Sequence, residues 1–235
     1  MSLLLCRGCL GPLGPPSGPS RAQAGLCGHC WEGLVALPED RCPQCALRHA
    51  WGEACPEPVA WAWGDALWDY HGGRPPLGAL LVPAIKGGEL GWKGALLARA
   101  WREELPEFAR EADLVCSAPT AWLRRWQRGF DLAEEAGQLF ARRLGRPWRR
   151  LLRKSWLAKA QAGLTESRRR RLGAGAVRLA SGVVLRGEAI LLVDDVWTTG
   201  TTLLRCVQAL ARGGAGPVAV LTLFRSVRLH PGPRG

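Results

Sequence analysis

The sequence predicts an α/β fold, a mostly parallel sheet flanked by helices, preceded by a small cysteine-rich module. Two observations carry this reading. From Leu77 onward, short runs rich in Val, Leu and Ile alternate with helical patterns. Strands that read as continuous apolar runs are those covered on both faces, as in parallel sheets. Ahead of them, seven of the nine cysteines fall in the first 55 residues. The boundary is placed at 1–58 for the cysteine module and 59–235 for the α/β domain.

The elements follow in chain order. "GPLGPPSGPS" (Gly11 to Ser20) has almost no core-forming side chains and reads as a loop between two metal knuckles. "VAWAWGDALWDYHGGRPP" is aromatic and ends in a Gly/Pro break. "LGWKGALLARAWREEL" is an amphipathic helix, with Leu90, Ala95, Leu97, Ala98 and Trp101 available to one broad face. "DLVCSAP" is a short strand ending at a proline turn, and "DLAEEAGQLFARRLG" is a helix closed by Gly145. "GVVLRGE" and "AILLVDD" are strands. "TTLLRCVQALARGG" is a helix with a Gly-Gly stop, "PVAVLTLF" a last strand, and "RLHPGPRG" a frayed tail.

Composition narrows the class. A chain of 235 residues with 47% hydrophobic content holds a full core. No apolar run approaches the ~18 residues of a membrane span. The opening "MSLLLC" lacks a basic region and makes a poor signal peptide, so the expected location is the cytoplasm. Net charge is +12. Between Ala121 and Arg171 stand 13 Arg and 2 Lys against four acids, a net +11, so one stretch holds nearly the whole excess. A concentrated basic surface suits phosphates, of a small ligand or of nucleic acid.

The cysteines form the units Cys6-x-x-Cys9, Cys27-x-x-Cys30 and Cys42-x-x-Cys45, followed by Cys55. Paired units of this kind read as structural zinc ligands rather than disulfides. Cys6, Cys9, Cys27 and Cys30 make one complete set of four. Cys42, Cys45 and Cys55 lack a fourth ligand, which His49 could supply.

Chemistry concentrates in "AILLVDDVWTTGTTL", Ala189 to Leu203. In open α/β sheets ligands bind at the carboxyl ends of strands, where Asp194 and Asp195 are expected. The loop Thr198, Thr199, Gly200, Thr201 and Thr202 then opens a helix, whose unpaired N–H groups and dipole favour phosphate. Gly200 permits close backbone approach and the Thr hydroxyls add donors. Phosphate cradle and carboxylates together fit a ribose 5-phosphate, with its 2- and 3-hydroxyls on the acids. A Walker B strand is the rival reading, but it needs G-x-x-x-x-G-K-[ST], and no lysine of this chain stands in that pattern.

"ILLVDDVWTTGTT" resembles the phosphoribosyl diphosphate (PRPP) loop of type I phosphoribosyltransferases, with Trp197 in place of a small aliphatic residue. With the cysteine module in front, the chain resembles the ComF-type competence protein family, also described as amidophosphoribosyltransferase-like. Three further blocks carry the likeness: "DYHGG" with "LVPAIKGGELGWKGALLARAW" through Tyr70 and Lys86, "VCSAPTAWLRRWQRGFDLAEE" through Pro119, Arg128, Gly129 and Phe130, and "QAGLTESRRRR" through Gln161, Leu164 and Arg169. Ser117, Asp131, Leu132 and Leu172 depart from the family pattern, and so does Pro58, near which the family often has a further Cys.

The resemblance implies a type I phosphoribosyltransferase-like domain that binds PRPP with Mg²⁺, behind a double zinc ribbon. It implies Asp194 and Asp195 as catalytic acids. Ala118, Pro119 and Thr120 would meet pyrophosphate, with Lys86, Arg128 and Arg169 as pyrophosphate or lid contacts. It also implies a link to DNA uptake, either as an enzyme transferring phosphoribosyl to an amine or base, or as an accessory protein. Arg124, Arg125, Trp126, Arg149 and Arg150 interleave Arg with aromatics, a pattern suited to single-stranded DNA, with other DNA-uptake proteins as further partners.

Overall fold

The computed structural model describes residues 6–8, 10, 26–50, 53–56, 59–120, 126–154 and 177–226. In these, β1 (Trp63–Asp69), β2 (Leu114–Ser117), β5 (Ile190–Trp197) and β6 (Val218–Arg225) form a sheet of order β1-β6-β5-β2 with all pairings parallel. All eight residues of β6 are buried, as are the first four of β5, which is why their sequences read as unbroken apolar runs. A short antiparallel ribbon, β3 (Leu152–Lys154) with β4 (Val177–Leu179), stands beside the sheet.

Strand alternation builds two cores. Val115, Leu191, Val193, Leu221 and Leu223 join α2 (Leu77–Lys86), α3 (Leu90–Ala100) and α4 (Leu132–Leu144) on one face. Leu114, Cys116, Ile190, Leu192 and Val220 join α5 (Thr201–Arg212) on the other. The cysteine-rich segment, which holds the short helix α1 (Gly28–Glu32), straddles the β1 edge. Cys6, Leu26, Cys30 and Leu34 enter the first core, while Leu37, Cys45, Ala46 and Trp61 enter the second. Between them Ala36 bridges Trp68, and the Asp69 N–H donates to the Val35 carbonyl at 2.8 Å, so the chain covers an edge that would otherwise be open.

Local chemistry explains the helix limits. Asp131 caps α4 by accepting from the Glu134 N–H, Glu134 and Glu135 sit in its first turn, and Arg142 and Arg143 in its last. Gly145 ends it in the left-handed conformation at φ 64°. Asp131, which departs from the family pattern, therefore has a helix-capping role.

Three expectations need correction. The segment 182–188, "GVVLRGE", is turn rather than strand: Gly182 and Gly187 adopt φ 75° and 90°, and Val184 is 65% exposed. On α3 the buried face is Trp92, Leu96 and Ala100, whereas Leu90 and Trp101 are exposed. And β5 does not stop at the acid pair but continues through Val196 to Trp197.

Candidate phosphate and metal sites

The parallel register places Asp194 beside Thr222 and Trp197 beside Arg225. Successive side chains leave a strand toward opposite faces, which separates the two acids. Asp195 faces α2, where Lys86 Nζ lies 2.7 Å from its Oδ2. It lines a cleft of about 590 Å³ with Tyr70, Lys86, Arg128 and Thr198. Asp194 lies behind it and accepts the Asp195 N–H at 2.8 Å. Burial, then the charge of Asp195, pushes the Asp194 carboxyl up to about 7, against the pull of Lys86 and Lys154. Desolvation and a like-charge neighbour make Asp194 a candidate functional residue.

The loop after β5 turns on Gly200, buried at φ 69°. A Cβ there would lie 3.0 Å from Trp197 Nε1 and 3.4 Å from Trp61. Thr198, Thr199, Thr201 and Thr202 are exposed around it, and the Thr199 and Thr201 hydroxyls lie 3.0 Å apart. No side chain caps α5. Its first N–H groups and the hydroxyls of four exposed threonines thus lie on one short loop, a chemistry matched to a monoester phosphate.

After β2, Thr120 shares a second cavity of about 180 Å³ with Ser117, Asp131, Arg150 and Lys154. Ala118 is buried and its N–H donates to the Val193 carbonyl at 2.8 Å, which leaves Thr120 as the forward part of this turn. Arg128 stands in the main cleft. Arg169, with Gln161 and Leu164 of its block, lies outside the described residues, as do Arg124 and Arg125.

The basic segment divides. Trp126 is 76% exposed. Trp148 instead packs against the first core and donates to Ser117 Oγ at 3.1 Å. Arg150 pairs with Glu134 at 2.7 Å, and both Arg149 and Arg150 are exposed.

Two groups of cysteines could hold metal ions. The thiols of Cys42, Cys45 and Cys55 and the imidazole of His49 place one ligand atom each within 4.8 Å of one another, and Cys6, Cys27 and Cys30 do the same. Sulfur pairs at 3.8 Å (Cys42–Cys55) and 3.6 Å (Cys6–Cys30) suit a tetrahedron with Zn–S bonds, whose edge is about 3.8 Å. None of the eight described cysteines is in a disulfide. Cys9 lies outside the described residues.

The two knuckles are built alike. The Gly8 and Gln44 N–H groups donate to the Cys6 and Cys42 sulfurs, both at 3.4 Å. Leu10 and Ala46, one residue past each Cys-x-x-Cys, take φ 60° and 55° and return a hydrogen bond to the Cys6 and Cys42 carbonyls. His49 Nε2 is buried with no hydrogen-bond partner among the described residues, while Nδ1 lies 3.2 Å from the Ala50 carbonyl oxygen. That is the orientation of a ligating imidazole held by its other nitrogen. Burial and the neighbouring thiols push Cys45 up to about 12, whereas backbone N–H groups and His49 outweigh burial at Cys42 and bring it down to about 7. Three crowded thiols resist joint ionisation, and a cation removes that resistance.

Comparison with known proteins gives the family. The chain is 31% identical over 214 residues to the DNA utilization protein YhgH of Salmonella typhimurium, covering 86% of this chain and 91% of that protein. The chain belongs to the ComF-type family of DNA utilization protein YhgH. The YhgH protein of Escherichia coli strain K12 is 28% identical over the same coverage. No family model matches the chain. Among solved structures, this YhgH-family chain is similar to the glutamine PRPP amidotransferase from B. subtilis complexed with ADP and GMP, at TM-score 0.37 and 23% identity over 60% of this chain and 26% of that one. A second is the adenine phosphoribosyltransferase from Thermoanaerobacter pseudethanolicus, at TM-score 0.34 and 19% identity, over 58% and 80% of the two chains. No helix among the described residues is long and apolar enough to cross a membrane.

Two features of the candidate site escape a reading of the sequence. One is the pairing of Lys86 with Asp195. Arg225, fully buried, donates to the carbonyls of Cys45, Trp197, Thr198 and Ser226. The only signal for Arg225 was an arginine closing an apolar run.

Proposed function

We propose that the chain binds Mg²⁺–PRPP at the end of β5 as a phosphoribosyltransferase-like protein of DNA utilization. The observation that carries this is the placement of exposed Thr198, Thr199, Thr201 and Thr202 around left-handed Gly200, with two residues between this loop and the carboxylates and with Thr198 in the Lys86–Arg128 cleft. The loop takes the 5-phosphate, and Asp195, with Asp194 behind it, takes the ribose hydroxyls. Thr120 and Arg128, with Arg169 as a lid contact, take the pyrophosphate. Lys86 releases Asp195 as the ligand's hydroxyls arrive.

With an amine or base as acceptor, the C1–O bond to pyrophosphate breaks and its electron pair leaves with pyrophosphate. The acceptor nitrogen forms the C1–N bond and gives up a proton to solvent. The carboxylates stabilise the positive charge that develops on the ribose ring. Zinc fills both cysteine centres, with Cys9 as fourth ligand of the first and His49 of the second, and closed sites of this kind are structural. Calorimetry of the zinc-loaded protein with Mg²⁺–PRPP tests the reading, and a panel of amines and bases screened for pyrophosphate release tests transfer. Absence of binding by wild type overturns it.

A second reading, a single-stranded DNA surface, is favoured by one observation: Trp126 is 76% exposed in the basic stretch beside Arg128. Stacking on an exposed indole contributes about 1–3 kcal/mol per base and survives salt, unlike phosphate contacts. Trp126→Ala should weaken DNA binding with its salt slope kept, while Arg124→Ala with Arg125→Ala should flatten the slope. Unchanged affinity in the first variant removes Trp126 from the DNA path.

A further inference from the structure

The geometry points to the Cys42–Cys45–His49–Cys55 metal centre as the element that sets the phosphate loop, with Arg225 as the positioning residue between them. The inference rests on the zinc and PRPP readings above and adds a coupling between them.

Three consecutive carbonyls of the second knuckle are held by the sheet domain. Pro43 accepts from the Gly64 N–H at 2.8 Å, Gln44 from Trp61 Nε1 at 2.7 Å, and Cys45 from Arg225 Nε at 3.1 Å. Two of these donors continue into the loop. Arg225 Nη1 donates to the Trp197 carbonyl at 3.1 Å and to the Thr198 carbonyl, and its guanidinium lies 4.4 Å from the Trp197 ring centre. Trp61 meets the same Trp197 ring edge-on, with centroids 5.1 Å apart. Trp197 in turn floors Gly200, since a Cβ on Gly200 would lie 3.0 Å from Trp197 Nε1. One buried guanidinium and one indole therefore join the metal knuckle to the residues that aim the phosphate cradle.

The knuckle needs its metal to hold this end. Ala46 adopts φ 55°, a conformation a non-glycine residue keeps only when its surroundings enforce it, and the ligand atoms of Cys42, Cys45, His49 and Cys55 crowd within 4.8 Å of one another. When the ion leaves, the Cys45 carbonyl loses its fixed place. Arg225 keeps its sheet position but loses one of its carbonyl partners, and the Trp197–Thr198 carbonyls lose a fixed donor. A buried guanidinium stays satisfied only while its acceptors are in place, so a change at one end is felt at the other. Zinc loading of the second site thus tightens PRPP binding, and by reciprocity PRPP tightens zinc retention.

The test is a cycle on the full chain. Affinity for Mg²⁺–PRPP is measured by calorimetry in zinc-loaded protein and in protein stripped by a zinc-selective chelator, for wild type and Arg225→Lys. Zinc should tighten wild type by about tenfold and the variant by less than about twofold, although the variant takes up the same zinc. Equal enhancement in both overturns the coupling, because a merely structural Arg225 would weaken loaded and stripped states alike. Where the stripped chain or the variant fails to fold, chelator competition on the loaded wild type replaces the cycle. PRPP should then raise retention of the second zinc by the same factor, and unchanged retention overturns the proposal. Should loaded wild type bind no PRPP, the ligand reading fails by itself. The coupling is then read from hydrogen exchange at the Leu204 and Ser226 amides, which bond to Gly200 and Trp197. Protection there should fall when zinc is withdrawn, and zinc-independent protection refutes it.

Discussion

Asp194→Asn removes a carboxyl that the fold holds away from its preferred state. Burial, reinforced by the charge on Asp195, moves that group from its ordinary 3.8 to about 7, with Lys86, Lys154 and the Asp195 N–H opposing. The difference of about 3 pKa units corresponds to about 4 kcal/mol. The sign follows from linkage: the folded chain binds the proton more tightly than the unfolded chain, so this stabilisation is complete below the unfolded value near 4 and lost as pH rises through about 7. Asn keeps an oxygen for the Asp195 N–H, which now reaches Asp194 Oδ1 at 2.8 Å, and carries no charge. The variant should therefore exceed wild type in stability by about 1–2 kcal/mol at pH 5 and about 4 kcal/mol at pH 8, measured by urea denaturation at both values. Its PRPP affinity should fall at the same time, as expected where a functional site is kept at the expense of stability. A gain equal at the two pH values, or a loss at pH 8, would refute the burial argument.

Gly200→Ala should cost about 1–2 kcal/mol in denaturant, because φ 69° is unfavourable for Ala and the new methyl meets Trp197, and it should weaken ribose 5-phosphate binding as well. His49→Ala should leave the first zinc in place and lose the second on dialysis, read by metal analysis. Retention of both would remove His49 from the ligand set.

The segment from β5 through the Thr/Gly loop into α5 was legible because three independent signals coincide there: an unbroken apolar run, a turn-forming glycine and an amphipathic helix with a Gly stop. The cysteine pairs were legible through spacing alone, and His49 became decisive only once the fold carried it to Cys42, Cys45 and Cys55. β1 was not legible as a strand, since its sequence contains a buried Asp65, which Arg41 neutralises at 2.6 Å from 24 residues away. "GVVLRGE" carried strand-forming residues but is flanked by glycines in left-handed backbone, so local propensity lost to turn geometry. The link from Arg225 to Cys45 joins residues 180 apart, and the pairing of Arg225 with Trp197 belongs to the register of β5 against β6, neither of which any local pattern encodes.

The site at the end of β5 should recognise PRPP specifically rather than attract phosphates to a chain of net charge +12. The direct test is a ³¹P NMR titration of Mg²⁺–PRPP, which resolves the 5-phosphate from the pyrophosphate, with wild type and with Asp194→Asn/Asp195→Asn. Removing two negative charges strengthens any merely electrostatic binding of a polyphosphate. Specific recognition gives the opposite: the 5-phosphate resonance moves on binding to wild type, and binding is lost in the folded double variant. A double variant that binds PRPP as tightly as wild type or more so, or a titration in which the pyrophosphate resonance alone responds, would contradict it.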